Sequence, residues 1–149
     1  MVIVGGSSSN VGKTTLACAL LRRARGRRVA MKVSVTERDV ATRIVVEREA
    51  ALEHHGDTGR LLAAGADAVV WVTVSRSRVR AGLAAGLFRA RSLKPDVLVV
   101  ESTSAGIQLR RFTESWFVAG PAPWKPWAIQ HRDRATHIVS STASAARAS

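Results

Sequence analysis

Short aliphatic runs alternate with longer Ala/Leu/Arg segments along the chain, a pattern that predicts parallel strands linked by crossover helices. Residues 2–5 read as the first strand. Residues 14–25 follow as a helix, because Leu16, Ala17, Leu20, Leu21 and Ala24 share one face and Gly26 can stop it. Further strands are predicted at residues 28–33, 68–74, 97–101, 116–119 and 137–140. Between them, Asp57 or Thr58 can cap a short helix that stops near Gly65. Residues 79–91 read as helical although Gly82 and Gly86 weaken the helix, and another helix is expected near 107–112. Residues 37–55 mix Val, Ile, Arg and Glu without a clear period. Pro121, Pro123 and Pro126 make residues 120–127 a loop, and the small polar residues 141–149 are expected to fray. The fold class that results is α/β: a doubly wound, mainly parallel sheet of five to six strands with helices on both faces, as in a Rossmann-like three-layer sandwich. No repeat or linker interrupts the pattern, so residues 1–149 read as one domain.

Composition sharpens this picture. Aromatic residues make up 5% of the chain and Tyr is absent, so the core must be built from Val, Leu, Ile and Ala, as a buried parallel sheet favours. Basic residues outnumber acidic ones by 23 to 11, a net charge of +12 that invites a polyanion partner. Only Lys13, Lys32, Lys94 and Lys125 are lysines; the arginines are scattered, with no aromatic-interleaved strip and no helix-turn-helix or zinc-finger spacing. Nucleic acid is therefore a possible but unfavoured partner, and solvated arginine faces are the simpler account. Cys18 alone excludes an intrachain disulfide and a cysteine zinc site; a buried thiol is expected. No stretch approaches membrane-spanning length, and the glycine turn after four residues leaves no room for a leader, so a cytoplasmic protein with no membrane partner is expected.

The most informative stretch is Gly5-Gly6-Ser7-Ser8-Ser9-Asn10-Val11-Gly12-Lys13-Thr14-Thr15, which joins the first predicted strand to the first predicted helix. That is the setting in which a phosphate loop works. Small residues let consecutive backbone N–H groups turn inward and approach phosphate oxygens. A helix starting near Lys13 adds unpaired N–H donors and partial positive charge. The Lys13 ammonium suits the β- and γ-phosphates, and the Thr14 hydroxyl suits Mg²⁺. Ser8, Ser9, Asn10, Val11, Gly12, Lys13, Thr14 and Thr15 are thus the candidate contacts to ATP or GTP, with Mg²⁺ as cofactor. Ser7 stands where the pattern G-x-x-x-x-G-K-[ST] has its first glycine, and the Gly5-Gly6 pair is available to take up the turn. The plainer alternative is a Gly/Ser turn before a capped helix.

In an open parallel sheet, ligands lie beyond the carboxyl ends of the strands. Glu101, at the end of an aliphatic strand, is the candidate catalytic and metal-site carboxylate, able to orient a metal-bound or attacking water in the Walker-B manner. Asp96, at the other end of that strand, is the poorer choice. Lys32 ends another strand and could hold a substrate anion or a neighbouring carboxylate. With Ser102 it forms the candidate contact to an acidic or phosphorylated small molecule. Asp57 and Thr58 read most simply as a helix cap. His54, His55, His131 and His137 have no metal-ligand spacing. Trp124 and Trp127 could stack on a base, but packing of a proline-stiffened loop over the sheet is the simpler role.

In order along the chain, the phosphate loop, the strand end at Lys32, the Asp57-Thr58…Ala64-Gly65-Ala66 segment and the Asp96…Glu101 strand resemble MobB-type proteins. These are GTP-binding P-loop proteins of molybdopterin-guanine dinucleotide biosynthesis, in the same broad class as dethiobiotin synthetase and the ParA/MinD ATPases. The resemblance covers roughly the first hundred residues, and only the phosphate loop is specific by itself. It implies phosphate and Mg²⁺ at Lys13 and Thr14, and the acidic strand-end role at Glu101. The chain departs from the family where Val33-Ser34-Val35-Thr36 follow Lys32 in place of histidines, and where Ser102 replaces a glycine. No lysine of the ParA/MinD kind precedes Gly12 in the loop. The expected function is Mg-dependent purine nucleoside triphosphate binding with slow hydrolysis, in molybdenum-cofactor biosynthesis by the resemblance. A P-loop small-molecule kinase or ATP-dependent ligase, a nucleotide-gated adaptor and a nucleic-acid-binding ATPase are the rival readings. Pairing as a homodimer would follow the habit of the class. No N-K-x-D signature selects guanine, so the base stays open.

Overall fold

The computed structural model describes residues 1–48 and 56–141; His54 and His55 and most of the predicted frayed end lie outside the described residues. Seven strands form one sheet among them: β1 (Val2–Gly6), β2 (Arg28–Thr36), β3 (Arg43–Glu47), β4 (Ala68–Ser75), β5 (Val97–Glu101), β6 (Glu114–Ala119) and β7 (His137–Ser140). Five α-helices connect them: α1 (Lys13–Arg23), α2 (Asp57–Ala63), α3 (Val79–Ser92), α4 (Thr103–Gln108) and α5 (Ala128–Arg132). The strand order is β3-β4-β2-β5-β1-β6-β7, and every pairing is parallel except β3 with β4.

The six predicted strands are all present, and β3 is the seventh. Its short Ile44-Val45-Val46 run is flanked by charged Arg43 and Glu47, and β3 pairs only with β4, at the sheet edge. Two helices differ from expectation. The helix expected near 107–112 is α4, which starts directly after β5 because the Ser102 hydroxyl caps it, accepting from the Ala105 N–H at 3.1 Å. Helix α5 was not foreseen. Asp57 does not cap α2 either: Gly56 is the N-cap, and the Asp57 carboxylate accepts from Lys32 instead.

Side chains alternate along the central strands, so the sheet feeds two apolar clusters. Ile3, Val29, Met31, Val70, Val72 and Val100 pack with Leu83, Leu87 and Ala90 of α3. Val4, Ala30, Val69 and Val99 pack with Ala17, Cys18 and Leu21 of α1 and Leu61 and Leu62 of α2. The glycines that weaken α3 have a packing reason. A Cβ on Gly82 would lie 2.8 Å from Val74, and one on Gly86 would lie 2.6 Å from Val72. Helix α3 therefore sits too close to β4 for side chains there. No described helix is long and apolar enough to cross a membrane.

Candidate functional site

The loop from β1 to α1 ends in two left-handed residues, Asn10 at φ 58° and Gly12 at φ 105°, on either side of Val11. Such alternation turns successive N–H groups into one concavity suited to an anion. The Gly12 carbonyl accepts the first helical bond, from Leu16 N–H at 3.0 Å, so the N–H groups of the first turn point out of the helix end. Val11 is buried beneath the loop against the α1 side of the core. Ser9, Asn10, Gly12, Lys13, Thr14 and Thr15 line a cleft of about 520 Å³. Lys13 Nζ donates across the loop to the Ser8 carbonyl at 2.6 Å. Burial holds its ammonium below the usual lysine range. Glu101 opposes that shift, while Lys125 and Lys32 add to it.

Beyond the ends of β2 and β5 lies a compact charge network. Lys32 and Glu101 are register partners on these adjacent strands, which places their side chains on the same face. Lys32 Nζ lies 3.0 Å from Glu101 Oε1 and 2.7 Å from Asp57 Oδ2. The Thr14 hydroxyl donates to both Glu101 oxygens, at 2.9 and 3.0 Å. Burial alone would lower the Lys32 pKa, yet the charge of Glu101 and hydrogen bonds to Asp57 and Glu101 carry it above the usual value. Burial is likewise the largest single influence on Asp57 and works against its ionised form, but the hydrogen bond and charge of Lys32, with Thr14 and Arg60, together outweigh it and lower its pKa. Both groups therefore stay charged at neutral pH. Arg60 extends the network, donating to Thr15 Oγ1 at 2.9 Å and lying 3.6 Å from Asp57.

Ser7, the residue at the missing glycine, is fully buried and bonded through three atoms. Its N–H donates to Val118 O at 3.0 Å, its hydroxyl accepts from Gly120 N–H at 2.9 Å, and its carbonyl accepts from Lys125 N–H at 2.9 Å. The phosphate loop is thereby fixed to β6 and to the loop after it. Gly6 is clamped from the other side by the Thr103 hydroxyl, which accepts from its N–H and donates to its carbonyl, both at 3.1 Å. The tryptophan loop packs over the sheet: Trp124 donates to Gly120 O at 2.7 Å and lies 5.6 Å from the Phe117 ring. Trp127 reaches the cleft, with the Arg76 guanidinium 4.0 Å from its ring centre.

The structure thus gathers Lys13, Thr14, Lys32 and Glu101 at one place, as their sequence positions foretold. Ser102 lines the cleft too, but its hydroxyl is engaged as the α4 cap. Asp57, Arg60 and Lys125 are cleft residues whose place the sequence did not reveal, while Thr103 and Trp127 also line the cleft. Asp57 sits on a helix with no motif, and Lys125 lies in a loop whose course only the fold determines. No group of three or more His, Cys, Asp or Glu side chains fit to hold a metal occurs among the described residues. His131 is buried against Ser115, and His137 stacks on Trp116. The oxygens of Thr14, Glu101 and Asp57 nevertheless suit Mg²⁺, which takes one or two protein oxygens together with phosphate and water rather than an all-protein cage. No protein-family model matches the chain, and comparison with curated proteins and with solved structures finds no match.

Proposed function

We propose that this chain is a P-loop nucleotide-binding protein of the doubly wound, three-layer kind that binds ATP or GTP with Mg²⁺ and hydrolyses it slowly. One observation carries the reading. A left-handed loop at a helix start, Lys13 within it, and Thr14 hydrogen-bonded to a strand-end carboxylate all face one cleft. In this reading the N–H groups of Ser8–Thr15 and the Lys13 ammonium hold the β- and γ-phosphates. Thr14 would offer its hydroxyl to a bound Mg²⁺, and Glu101 would hold or orient a water for attack on the γ-phosphate. Bound Mg²⁺ would neutralise charge developing on the phosphates. Lys32 holds the Glu101 side chain in place through their ion pair, a positioning role.

Hydrolysis is preferred over transfer to a small acceptor because both candidate acceptor contacts are engaged internally, Lys32 by two carboxylates and Ser102 by α4. The MobB-like pathway and a cytoplasmic location belong to the same proposal. Calorimetric titration of ATP and GTP, each with Mg²⁺, into wild type and Lys13→Ala tests it. One nucleotide should bind tightly, and the variant should bind it at least about tenfold more weakly. Folded wild type that binds neither nucleotide would refute the reading.

A further inference from the structure

We infer that Lys125 is a second phosphate-binding lysine, delivered to the terminal phosphates by the loop after β6 and positioned there by Ser7. The inference rests on the nucleotide reading above and names a further contact to the same ligand. Lys125 lies in the loop before α5, far in sequence from the phosphate loop, yet it lines the cleft beside Lys13. Its backbone N–H donates to the Ser7 carbonyl at 2.9 Å, so the residue starts directly from the wall of the phosphate loop. Lys125 is a half-buried residue whose ammonium makes no hydrogen bond or ion pair among the described residues.

Two cations that face one cleft without an intervening anion repel each other. That arrangement is stabilised when an anion sits between them. The repulsion is visible at Lys13, where Lys125 adds to the effect of burial in holding the ammonium below its usual range. Glu101 and Asp57 relieve it at Lys13 only in part, and both are already engaged elsewhere. Lys32 lies between Asp57 and Glu101, and Glu37, which also feels Lys125, is bound by both Nε and Nη2 of Arg76. Arg76 in turn stacks on Trp127, which anchors the far end of the Lys125 segment.

Ser7 is the other half of the arrangement. Its hydroxyl accepts from Gly120 N–H, at the start of the segment that carries Lys125. Glycine at this position would keep the backbone bonds to Val118 and Lys125 but leave Gly120 N–H without that acceptor. The departure from the usual loop pattern therefore links the phosphate loop to a cation-bearing segment. The ligand chemistry that satisfies Lys13 and Lys125 together is a polyphosphate tail, with less demand for the second lysine from a monophosphate.

The test is calorimetric titration of Mg-ATP, Mg-GTP and the corresponding monophosphates into wild type, Lys13→Ala, Lys125→Ala, Lys125→Arg, Ser7→Gly and the Ser7→Gly/Lys125→Ala double variant. Circular dichroism melts verify that each variant is folded. Lys125→Ala should weaken triphosphate binding about tenfold, with at least partial recovery in Lys125→Arg and little change for monophosphate. Ser7→Gly should weaken it about threefold, and add nothing once Lys125 is gone. Triphosphate binding within twofold of wild type in Lys125→Ala, while Lys13→Ala loses it, would overturn this inference and leave the nucleotide site standing. Equal loss for mono- and triphosphate would also overturn the terminal-phosphate assignment. Additive effects of Ser7→Gly and Lys125→Ala would overturn the positioning role of Ser7. Wild type that binds neither nucleotide would overturn both readings together.

Discussion

Between neutral pH and pH 4 the chain should lose stability through His131, and the loss can be worked from its surroundings. The residue is wholly buried, its ring lies edge-on to Phe117 at 5.6 Å, and Nε2 sits 2.8 Å from the Ser115 hydroxyl. Nδ1 has no hydrogen-bond partner among the described residues. Burial first, and the charge of Arg134 second, push the pKa from 6.5 to about 4. A depressed pKa means that the unfolded chain takes up the proton first as pH falls. The stability associated with the neutral ring is therefore complete above pH 6.5, declines from there to about pH 4, and changes no further below that. At about 1.4 kcal/mol per pH unit, this comes to roughly 3 kcal/mol, a large share of the 5–15 kcal/mol of a typical domain. Urea unfolding of wild type and His131→Gln at steps from pH 7.5 to pH 4 measures it, since glutamine can bond Ser115 but does not titrate. The stability gap between the two should shift by about 3 kcal/mol towards the variant on acidification. Parallel pH profiles would refute the reasoning. The site should feel the same change, because the ring fills the space over Gly5 and Gly106, where a Cβ would overlap it, and Gly5 opens the phosphate loop.

Three further outcomes follow from the packing and the charges. Lys32→Met should cost about 3 kcal/mol in urea unfolding, because it leaves Glu101 buried without its cation, and Glu101→Gln in the same chain should recover part of the loss. Gly86→Ala should destabilise by about 1–2 kcal/mol despite alanine's better helix propensity, since the new methyl meets Val72 and Met31; a higher melting temperature would show that α3 can move away. Cys18 is buried, burial raises its thiol pKa, and it donates to the Arg60 carbonyl. Ellman's reagent at pH 8 should therefore react at least about tenfold more slowly with folded than with urea-unfolded protein.

What could be read from sequence was whatever local pattern controls. Aliphatic runs located β1, β2, β4, β5 and β6 because strands covered on both faces need such runs, Ile138-Val139 marked the largely exposed edge strand β7, and parallel pairing followed from the helices between them. Lys13, Thr14 and Glu101 could be placed because a loop motif and a strand end carry their own geometric meaning. Elsewhere tertiary partners decided. Strand β3 is held by pairing to β4 at an edge, without a hydrophobic period to betray it. Asp57 had the sequence of a helix cap, but the fold brought Lys32 within 2.7 Å and gave it another partner. The α4 start turned on one serine hydroxyl, whose capping signal at Ser102 was present in the sequence but read as a substrate contact. Lys125 and Trp127 reach the cleft only because Ser7 and Arg76 hold their loop.

The distribution of charge bears more directly on function than the total of +12. Lys13, Lys32, Arg60 and Lys125 line the cleft against Asp57 and Glu101, four cations to two anions, a net of +2. Lys32 is consumed by the two carboxylates, and Arg60 also leans on Asp57. The charge left facing the cleft therefore comes mainly from Lys13 and Lys125, supplemented by the α1 N-terminus. A magnesium-bound triphosphate carries about two negative charges, so on the proposed reading it would nearly neutralise the site. A duplex backbone presents its phosphates along an extended line at one charge per roughly 1.7 Å, and a cleft of this size with two lysines not paired to carboxylates among the described residues could engage only a few of them. Many of the remaining basic side chains are arginines outside the cleft, several tied to carboxylates such as Glu37, Asp39 and Asp133. On the proposed reading the basic excess and the cleft are thus separate features of the molecule, and the cleft's own charge balance argues for a compact polyphosphate over a nucleic-acid strand.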